Sequence, residues 1–287
     1  MKTSVIDIGL QWEMPALTRA LSEAMGQGEV TQVIVNTTGS SGIKKRVLLS
    51  IDAVSTSAQL SNERVSAMPG DIWSLLLPIN HIAGVNVLTR ALKLGSEVVG
   101  ADERADYTAI VPTQLHRALF GDEKLLAHLQ GCKSVLVGGS PASKVLLEAA
   151  SKAGISVVTT YGMTETSGGC VYNKRALTDV SVMVDESGRI KIKGPILASG
   201  YEDNQELWSQ HFKDGWFITS DLGKIKNNEI EVIGRIDDVV ITGGENVSLH
   251  AIENELSAGF PDTRFLATAI PDAEWGQKIC LIADSEI

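Results

Sequence analysis

Short apolar runs alternate with amphipathic segments through the middle of the chain. Five of these runs have the length of buried strands and lie at 72–77, 96–99, 108–111, 134–137 and 155–160. Between them, apolar residues recur at helical spacing in the segments 84–94, 113–120 and 140–153. Because strands that alternate with helices are typical of a helix-covered sheet, we predict an α/β fold for this part of the chain.

The two ends of the chain extend this pattern in different ways. The spacing predicts an amphipathic helix at 15–25 and a strand at 32–35. Turn residues at 185–188 and 227–228 each separate two short strands, which predicts a small antiparallel β subdomain. A strand at 239–241, a helix from about 248 and two more strands follow a charged linker at 235–238. We therefore predict a large N-terminal domain of mixed α/β sheets with helices and a small β subdomain (1–234), followed by a small α+β C-terminal domain (235–287).

Charge and cysteine usage narrow the classes of partner. The formal net charge is −10, which argues against a broad surface for nucleic acid or anionic membranes. No apolar run approaches the ~20 residues of a membrane span, and no basic head precedes an apolar core at the N-terminus. The three cysteines show no spacing typical of a disulfide framework or a zinc site. We predict a cytoplasmic protein with small-molecule partners, no nucleic acid, no stable membrane insertion and a possible homodimeric state.

The segment Tyr161–Cys170 concentrates ligand-binding chemistry. It brings an aromatic ring, the Thr164 hydroxyl and the Glu165 carboxylate together, and the pair Gly168-Gly169 lets a ligand approach the backbone. The segment follows an apolar strand, and ligands of open α/β sheets gather at the carboxyl ends of strands. This combination suits an adenine nucleotide with a divalent cation; the alternative is a structural glycine-rich turn.

A second polar loop follows the strand at 32–35. It offers four hydroxyls, two glycines and two lysines, in the order Thr37, Thr38, Gly39, Ser40, Ser41, Gly42, Ile43, Lys44 and Lys45. Backbone amides in such a loop can cradle an anion, and the lysines can neutralise a polyphosphate. The glycine spacing differs from that of a GxxxxGK[ST] loop, and the alternative is a solvated turn.

Polar groups near the next helix suggest an acid-binding pocket. His81 ends a strand before this helix and either lines an acyl pocket or is structural. Arg90 lies on the helix among apolar residues, where it either holds a ligand carboxylate bidentately or extends its guanidinium to solvent.

Five further positions fit a nucleotide site. Gly138 and Gly139 leave room for a flat base before Ser140, which we predict to be a helix N-cap with Pro141 at the first helical position. Asp221 is suited to accept hydrogen bonds from ribose hydroxyls, and Arg235 supplies a cation. Read singly, these residues are equally consistent with turns and surface charges.

The order of these motifs resembles the adenylate-forming ligase superfamily, which contains acyl-CoA synthetases, luciferases and peptide-synthetase adenylation domains. The resemblance covers about residues 30–280 and rests on the segments 37–42, 161–165, 215–221 and 234–238. Within the superfamily, the segments 81–90, 111–115 and 161–172 are most similar to o-succinylbenzoate–CoA ligases of menaquinone biosynthesis in their short actinobacterial form.

This resemblance implies ATP, Mg²⁺ and, as a substrate, CoA. A carboxylate would attack ATP to form an acyl-adenylate, from which the CoA thiol would displace AMP. The implied nucleotide-binding residues are Thr37, Thr38, Gly39, Ser40, Ser41, Gly42, Lys45, Gly138, Gly139, Ser140, Thr160, Tyr161, Gly162, Thr164, Asp221 and Arg235. Thr164, Glu165, Lys45 and His81 would be catalytic, with Glu165 holding Mg²⁺. The acid would contact His81, Arg90, Ser167 and Gly168. CoA would contact Gly243 and Gly244, and Asp237 would be the hinge of the small domain.

Two departures from the family pattern keep alternatives open. Lys44 and Arg46 stand where the loop usually has proline and glycine, which adds positive charge beside the phosphates. Family members continue beyond the region of Trp275 and carry a lysine essential for adenylation, which neither Lys278 nor a later residue matches. The C-terminal domain is therefore expected to be incomplete, so that the chain is a fragment or a reduced protein. The alternative functions are a ligase for another aromatic or short acyl acid and a non-catalytic adenylate-binding protein.

Overall fold

The computed structural model describes residues 4–26, 29–38, 44–260, 263 and 265–284 of the 287-residue chain. A first sheet has the order β1-β2-β3-β13. Its strands are β1 (Ser4–Asp7), β2 (Val30–Thr38), β3 (Lys44–Ser50) and β13 (Gly200–Tyr201). The β1–β2 pair is parallel and the other two pairs are antiparallel. Helices α1 (Met14–Met25), α2 (Ile51–Arg64) and α3 (Ile82–Leu94) pack with this sheet in one core.

The second sheet is the largest and has seven strands in the order β10-β9-β8-β7-β6-β4-β5. They are β4 (Trp73–Ser74), β5 (Val98–Val99), β6 (Tyr107–Ile110), β7 (Ser134–Val137), β8 (Val157–Met163), β9 (Gly168–Tyr172) and β10 (Arg175–Ala176). The pairs from β5 to β8 are parallel, and β9 and β10 add an antiparallel edge.

Both faces of the parallel part of this sheet are buried. On β7, Leu136 belongs to one core while Val135 and Val137 belong to another, because successive side chains point to opposite faces. Three helices pack beyond the strands of the Val135 face: α4 (Pro112–Phe120), α5 (Glu123–Gly131) and α6 (Lys144–Lys152). A sheet that is buried on both faces explains why its strands read as continuous apolar runs.

Two antiparallel sheets follow. The third sheet contains β11 (Ser181–Val184), β12 (Arg189–Lys193), β14 (Phe212–Lys213), β15 (Trp216–Lys226) and β16 (Glu229–Arg235), with α7 (Gln205–His211) beside it. The fourth contains β17 (Val239–Thr242), β18 (Glu245–Ser248), β19 (Phe265–Asp272) and β20 (Gly276–Ala283), with α8 (Leu249–Gly259). The predicted fold class is confirmed: a large α/β part with a β subdomain precedes a small α+β part. In the described part of the chain, no helix has both the length and the apolar character needed to cross a membrane.

Some local predictions were wrong. The strand predicted at 72–77 is limited to Trp73–Ser74, where both neighbouring strands supply backbone partners. The helix predicted from Ser140 begins at Lys144, because the Ser143 hydroxyl accepts a hydrogen bond from the amide of Leu146 at 3.2 Å. Ser140 is therefore not the N-cap and Pro141 is not the first helical residue. Helices α2, α5 and α7 and strands β1 and β3 are among the elements that were not predicted.

Candidate functional site

Strand β8 carries the aromatic residue of the predicted nucleotide segment and connects it to the third sheet. The Tyr161 hydroxyl donates a hydrogen bond to Asp221 Oδ2 at 2.7 Å, and Arg235 Nη1 donates to Asp221 Oδ1 at 3.0 Å. Asp221 is only 6% exposed, and burial together with this carboxylate raises the pKa of Tyr161 above its ordinary value. Tyr161 and Arg235, which were predicted to contact the nucleoside and lie 74 positions apart in sequence, are thus joined through Asp221.

The turn after β7 lies directly against β8. A Cβ atom at Gly138 would come within 2.2 Å of Thr160 Oγ1, so only glycine fits this close approach of the two strands. Thr160 Oγ1 also donates to the carbonyl of Val137 at 3.3 Å. Gly139, with φ of +84°, and Ser140 are exposed beyond this contact. This arrangement leaves an open backbone ledge next to the β8 residues.

Glu165 is held by a residue that the sequence did not reveal. It lies in a 3₁₀ turn at Thr164–Thr166 and is 7% exposed, and its Oε1 accepts a hydrogen bond from the Tyr201 hydroxyl at 2.7 Å. Lys45 Nζ lies 5.1 Å from the centre of the Tyr201 ring. Burial and the Glu165 carboxylate raise the pKa of Tyr201, which keeps its hydroxyl a donor. Tyr201 therefore joins the predicted phosphate-binding lysine to the predicted metal ligand.

A single carboxylate fits a magnesium site of the kind that relies on substrate oxygens. In the described part of the chain, no group of three or more His, Cys, Asp or Glu side chains is arranged to hold a metal. Mg²⁺ bound with a nucleotide commonly uses one or two carboxylates together with phosphate oxygens and water. Glu165 supplies a fixed oxygen donor of the required type, and Thr164 precedes it in the same turn.

The backbone after Glu165 is fixed by contacts with α2 and α3. Ser167 has φ of +50°, and its carbonyl accepts hydrogen bonds from Ser57 Oγ at 2.9 Å and Asn86 Nδ2 at 2.8 Å. Its hydroxyl donates to the carbonyl of Ile196 at 2.8 Å. Because Ser167 is fully buried and its hydroxyl is already engaged, it shapes the site through the path of its backbone. Gly168 follows with φ of +100°.

Arg90 is buried, so the alternative in which its guanidinium extends to solvent is wrong. It is 4% exposed because α3 contributes residues to two cores and is enclosed on most of its surface. Its Nη2 donates to the Tyr172 hydroxyl at 3.2 Å, and its guanidinium carbon lies 5.0 Å from the centre of the Trp73 ring. Among the described residues, no carboxylate lies within ion-pair distance of Arg90, and its Nε has no hydrogen-bond partner.

The predicted phosphate loop is described at its two ends only. Thr37 and Thr38 end β2 and pair in antiparallel register with Lys45 and Lys44 on β3, respectively, whereas Gly39, Ser40, Ser41 and Gly42 lie outside the described residues. The expectation that Arg46 adds positive charge beside the phosphates is not supported, because Arg46 is ion-paired with Asp7 and Glu202.

The remaining predicted residues lie at separate positions. His81 is exposed at the N-cap position of α3, nine residues before Arg90, and makes no side-chain hydrogen bond with the residues described. Gly162 is in β8. Gly243 and Gly244 form the exposed turn between β17 and β18, with φ of +58° and +84°. The backbone of Asp237 lies in a 3₁₀ turn, Ile236–Asp238, directly after β16.

Comparison with known proteins identifies the family. The AMP-binding enzyme model matches residues 15–189, which is more than half of the chain. The chain belongs to the AMP-binding enzyme family. This family match includes the β2–β3 loop, α3 and the segment 160–168, and it ends before Asp221 and Arg235.

Two similar curated proteins are both named as 2-succinylbenzoate–CoA ligases. A probable 2-succinylbenzoate–CoA ligase of Mycobacterium tuberculosis is 37% identical over 269 residues, which cover 86% of this chain and 69% of that protein. The 2-succinylbenzoate–CoA ligase of Escherichia coli K12 is 27% identical, with 84% of this chain and 56% of that protein covered. The chain thus spans little more than half to about two thirds of the length of these relatives.

Solved structures give the same fold. An ATP-bound RpMatB–BxBclM chimera is 29% identical, with a TM-score of 0.77 over 88% of this chain and 57% of that one. The o-succinylbenzoate CoA synthetase of Bacillus subtilis in complex with an acyl-adenylate has a TM-score of 0.79 at 24% identity, over 89% of this chain and 60% of that one. The second similarity establishes the fold alone.

Tyr201 and Tyr172 contact predicted site residues but were not themselves predicted, and only Tyr172 lay in a segment that the sequence had singled out. Tyr201 follows Gly200 in a strand too short to be recognised, and its partner Glu165 is 36 residues away. Tyr172 had been noted only as the end of the segment 161–172, which suggested no contact with Arg90. The polar residues of α2 gave no helical signal, because Ser57, Ser61 and Asn62 are buried on the side where apolar residues were expected.

Proposed function

We propose that the protein binds ATP with Mg²⁺ and activates 2-succinylbenzoate as an acyl-adenylate, which then reacts with CoA in menaquinone biosynthesis. The observation that carries the proposal is the buried cation of Arg90, which has no carboxylate partner among the described residues. Burying an unpaired charge is costly, so an anionic ligand would relieve this cost. The names of the relatives support a substrate with two carboxylates, one of which can react while the other is held.

The nucleotide half of the proposal rests on the contacts along β8. The Asp221 carboxylate is fixed by Tyr161 and Arg235, and its two oxygens retain lone pairs that can accept ribose hydroxyls. The open ledge at Gly139 and Ser140 offers space for the adenine ring beside Tyr161. We infer that Thr164 contacts the α-phosphate and that Lys45 contacts the terminal phosphates.

The proposed chemistry needs charge neutralisation and alignment more than a general base. A carboxylate oxygen of the acid attacks the α-phosphorus, a P–O bond forms, and pyrophosphate leaves. In the second step the sulfur of CoA bonds to the acyl carbon, AMP leaves with the electron pair of the broken C–O bond, and the thiol proton passes to solvent. Mg²⁺ held by Glu165 would neutralise phosphate charge. Because the attacking carboxylate is already ionised, positioning by Arg90 and Lys45 is the main contribution of the side chains.

The C-terminal residues would serve the second step. We infer that the 235–287 part turns about Asp237 and brings the Gly243–Gly244 turn toward CoA. The exposed position of that turn and its positive φ angles are compatible with a close approach of a ligand to the backbone. The proposed boundary between residues 234 and 235 lies one residue before the end of β16.

The decisive test compares two acids that differ by one carboxylate. Isothermal titration in the presence of Mg²⁺ and an ATP analogue that cannot be cleaved between its α- and β-phosphates measures Kd for 2-succinylbenzoate and for 3-benzoylpropionate, which lacks the ring carboxylate. We expect wild-type protein to prefer 2-succinylbenzoate by about 100-fold, because a buried charged pair contributes ~3 kcal/mol. Arg90→Ala should abolish the preference, and Arg117→Ala, at an exposed arginine on α4, should keep it.

Three other results of these measurements would contradict the proposed activity or its substrate. Equal affinity of wild-type protein for the two acids would contradict recognition of the ring carboxylate. Binding of ATP without binding of any acid, and without acid-dependent release of pyrophosphate, would favour an adenylate-binding protein that is not a ligase. A stronger response to a different aromatic or short acyl acid would assign a different substrate.

A further inference from the structure

The guanidinium of Arg90 is held by neutral groups only. Tyr172 accepts a hydrogen bond from Nη2 at 3.2 Å, and the Trp73 ring lies against the guanidinium at 5.0 Å. Asn62 links Trp73 to the backbone of Arg90, because its Oδ1 accepts from Trp73 Nε1 at 3.2 Å and its Nδ2 donates to the carbonyl of Arg90 at 2.9 Å. A neutral holder orients the cation without neutralising it, whereas a carboxylate in the same place would compete with an anionic ligand.

Tyr172 is itself fixed from the opposite side by α2. Its hydroxyl is hydrogen-bonded to Ser61 Oγ at 2.8 Å, and its carbonyl accepts from Arg64 Nη2 at 3.1 Å. Tyr172 is fully buried at the end of β9. The side chain that orients Arg90 therefore has one position, set by contacts between β9 and α2.

Two buried polar atoms next to this arrangement lack partners among the described residues. They are Arg90 Nε, a donor, and Asn86 Oδ1, an acceptor, one helical turn apart on α3. The Asn86 amide is oriented by its Nδ2, which donates to the carbonyl of Ser167. Buried polar atoms in native proteins are rarely unsatisfied, so this pair marks a place where a ligand is expected.

We propose that Tyr172 is a positioning residue for the acid substrate: its hydroxyl holds the Arg90 guanidinium in the orientation in which it pairs with the substrate carboxylate. This inference rests on the proposed function, because it takes the ligand of Arg90 to be the ring carboxylate of the acid. Tyr172 does not contact the substrate, and its effect passes through Arg90 alone.

The test is the isosteric change Tyr172→Phe, measured with the same two acids and with ATP. We expect Kd for 2-succinylbenzoate to rise about ten-fold, as for the loss of one hydrogen bond to a charged group, while Kd for 3-benzoylpropionate and for ATP stays unchanged. A purely structural role would move all three constants together or none of them. Tyr107→Phe is the matched control, because Tyr107 also packs on Trp73 and donates its hydroxyl to a backbone carbonyl, that of Val65.

A double-mutant cycle and a second variant complete the test. In the Arg90→Ala background, Tyr172→Phe should have no further effect on Kd for 2-succinylbenzoate. Ser61→Ala, which removes only the outer hydrogen bond of Tyr172, should raise that Kd by about two- to three-fold. If wild-type protein prefers 2-succinylbenzoate and Arg90→Ala abolishes this preference, but Tyr172→Phe retains it, the inference is wrong while the proposed function stands. If wild-type protein has no preference, the proposed function itself fails.

Discussion

The hydrogen bond between Tyr201 and Glu165 allows a quantitative test of the site. Tyr201→Phe removes only the hydroxyl that Glu165 Oε1 accepts from at 2.7 Å. The phenylalanine ring can keep the edge-to-face contact with Trp208, whose ring centre is 5.3 Å away, and the contact with Lys45. The change therefore isolates one hydrogen bond to a buried carboxylate.

We expect Tyr201→Phe to lower the free energy of unfolding by about 2 kcal/mol. Hydrogen bonds to charged groups contribute roughly 1.5–3 kcal/mol, and both residues are less than 10% exposed, so water can replace the lost donor only poorly. The measurement is urea unfolding followed by tryptophan fluorescence, with an unchanged m-value as the condition for comparing free energies. Tyr107→Phe should cost less, about 1 kcal/mol, because its hydroxyl makes a longer bond of 3.4 Å to the Val65 carbonyl and the Asp71 carboxylate near it is already paired with Lys133.

A second comparison tests whether the charge of Glu165 accounts for the cost of Tyr201→Phe. In a Glu165→Gln background the acceptor is neutral, so Tyr201→Phe should cost only about 1 kcal/mol, which gives a coupling energy of ~1 kcal/mol. The reasoning is refuted if Tyr201→Phe costs no more than the Tyr107→Phe control, or if its cost is the same whether position 165 carries glutamate or glutamine.

Three further predictions concern packing and ionisation. Gly138→Ala should lower the free energy of unfolding by about 1–3 kcal/mol and weaken ATP binding, because its Cβ would lie 2.2 Å from Thr160 Oγ1. Gly100→Ala, which has open space around it, should change neither quantity when both are measured by calorimetry. Burial raises the pKa of Cys132 to about 11 and that of Cys170 to about 12, above the ordinary thiol value. The free energy of unfolding should therefore fall as pH rises above about 9, where the thiols of the unfolded chain ionise. A free energy of unfolding that stays constant between pH 8 and 10 in the wild type, compared with its Cys→Ala variants, would contradict this. The Ser187 hydroxyl and neighbouring donors hold the pKa of Asp185 at about 2, so Asp185→Asn should remove a stability loss that wild-type protein shows as pH falls from about 4 to 2, measured by acid titration of its fluorescence.

Much of the large sheet could be predicted because its strands are continuous apolar runs. The strand at 134–137 was predicted with the bounds that the structure has, since both of its faces are buried and every residue after Ser134 is apolar. The run at 72–77 looked equally good, but only two of its residues have parallel partners on both sides. Strand bounds depend on neighbours that are distant in sequence, and apolar character does not encode them.

Helix α2 was missed for a related reason. Its buried face carries Ser57, Ser61 and Asn62, so the apolar periodicity is interrupted. These polar side chains can be buried because their partners come from elsewhere, such as the carbonyl of Ser167 and the hydroxyl of Tyr172, each 110 or 111 residues away. A hydrogen bond that satisfies a buried polar group at long range leaves no local signal.

The sequence by itself determined the α/β class and the family, because these depend on the order of local motifs and on apolar runs that can be read along the chain. Only the tertiary structure decided that Arg90 is buried, that Tyr172 and Tyr201 orient Arg90 and Glu165, and that Arg46 is neutralised by Asp7 and Glu202. Each of these outcomes depends on which side chains meet across elements 36 to 156 residues apart. Burial and partnership are properties of the packed chain, and they set the charge and the orientation on which the proposed chemistry relies.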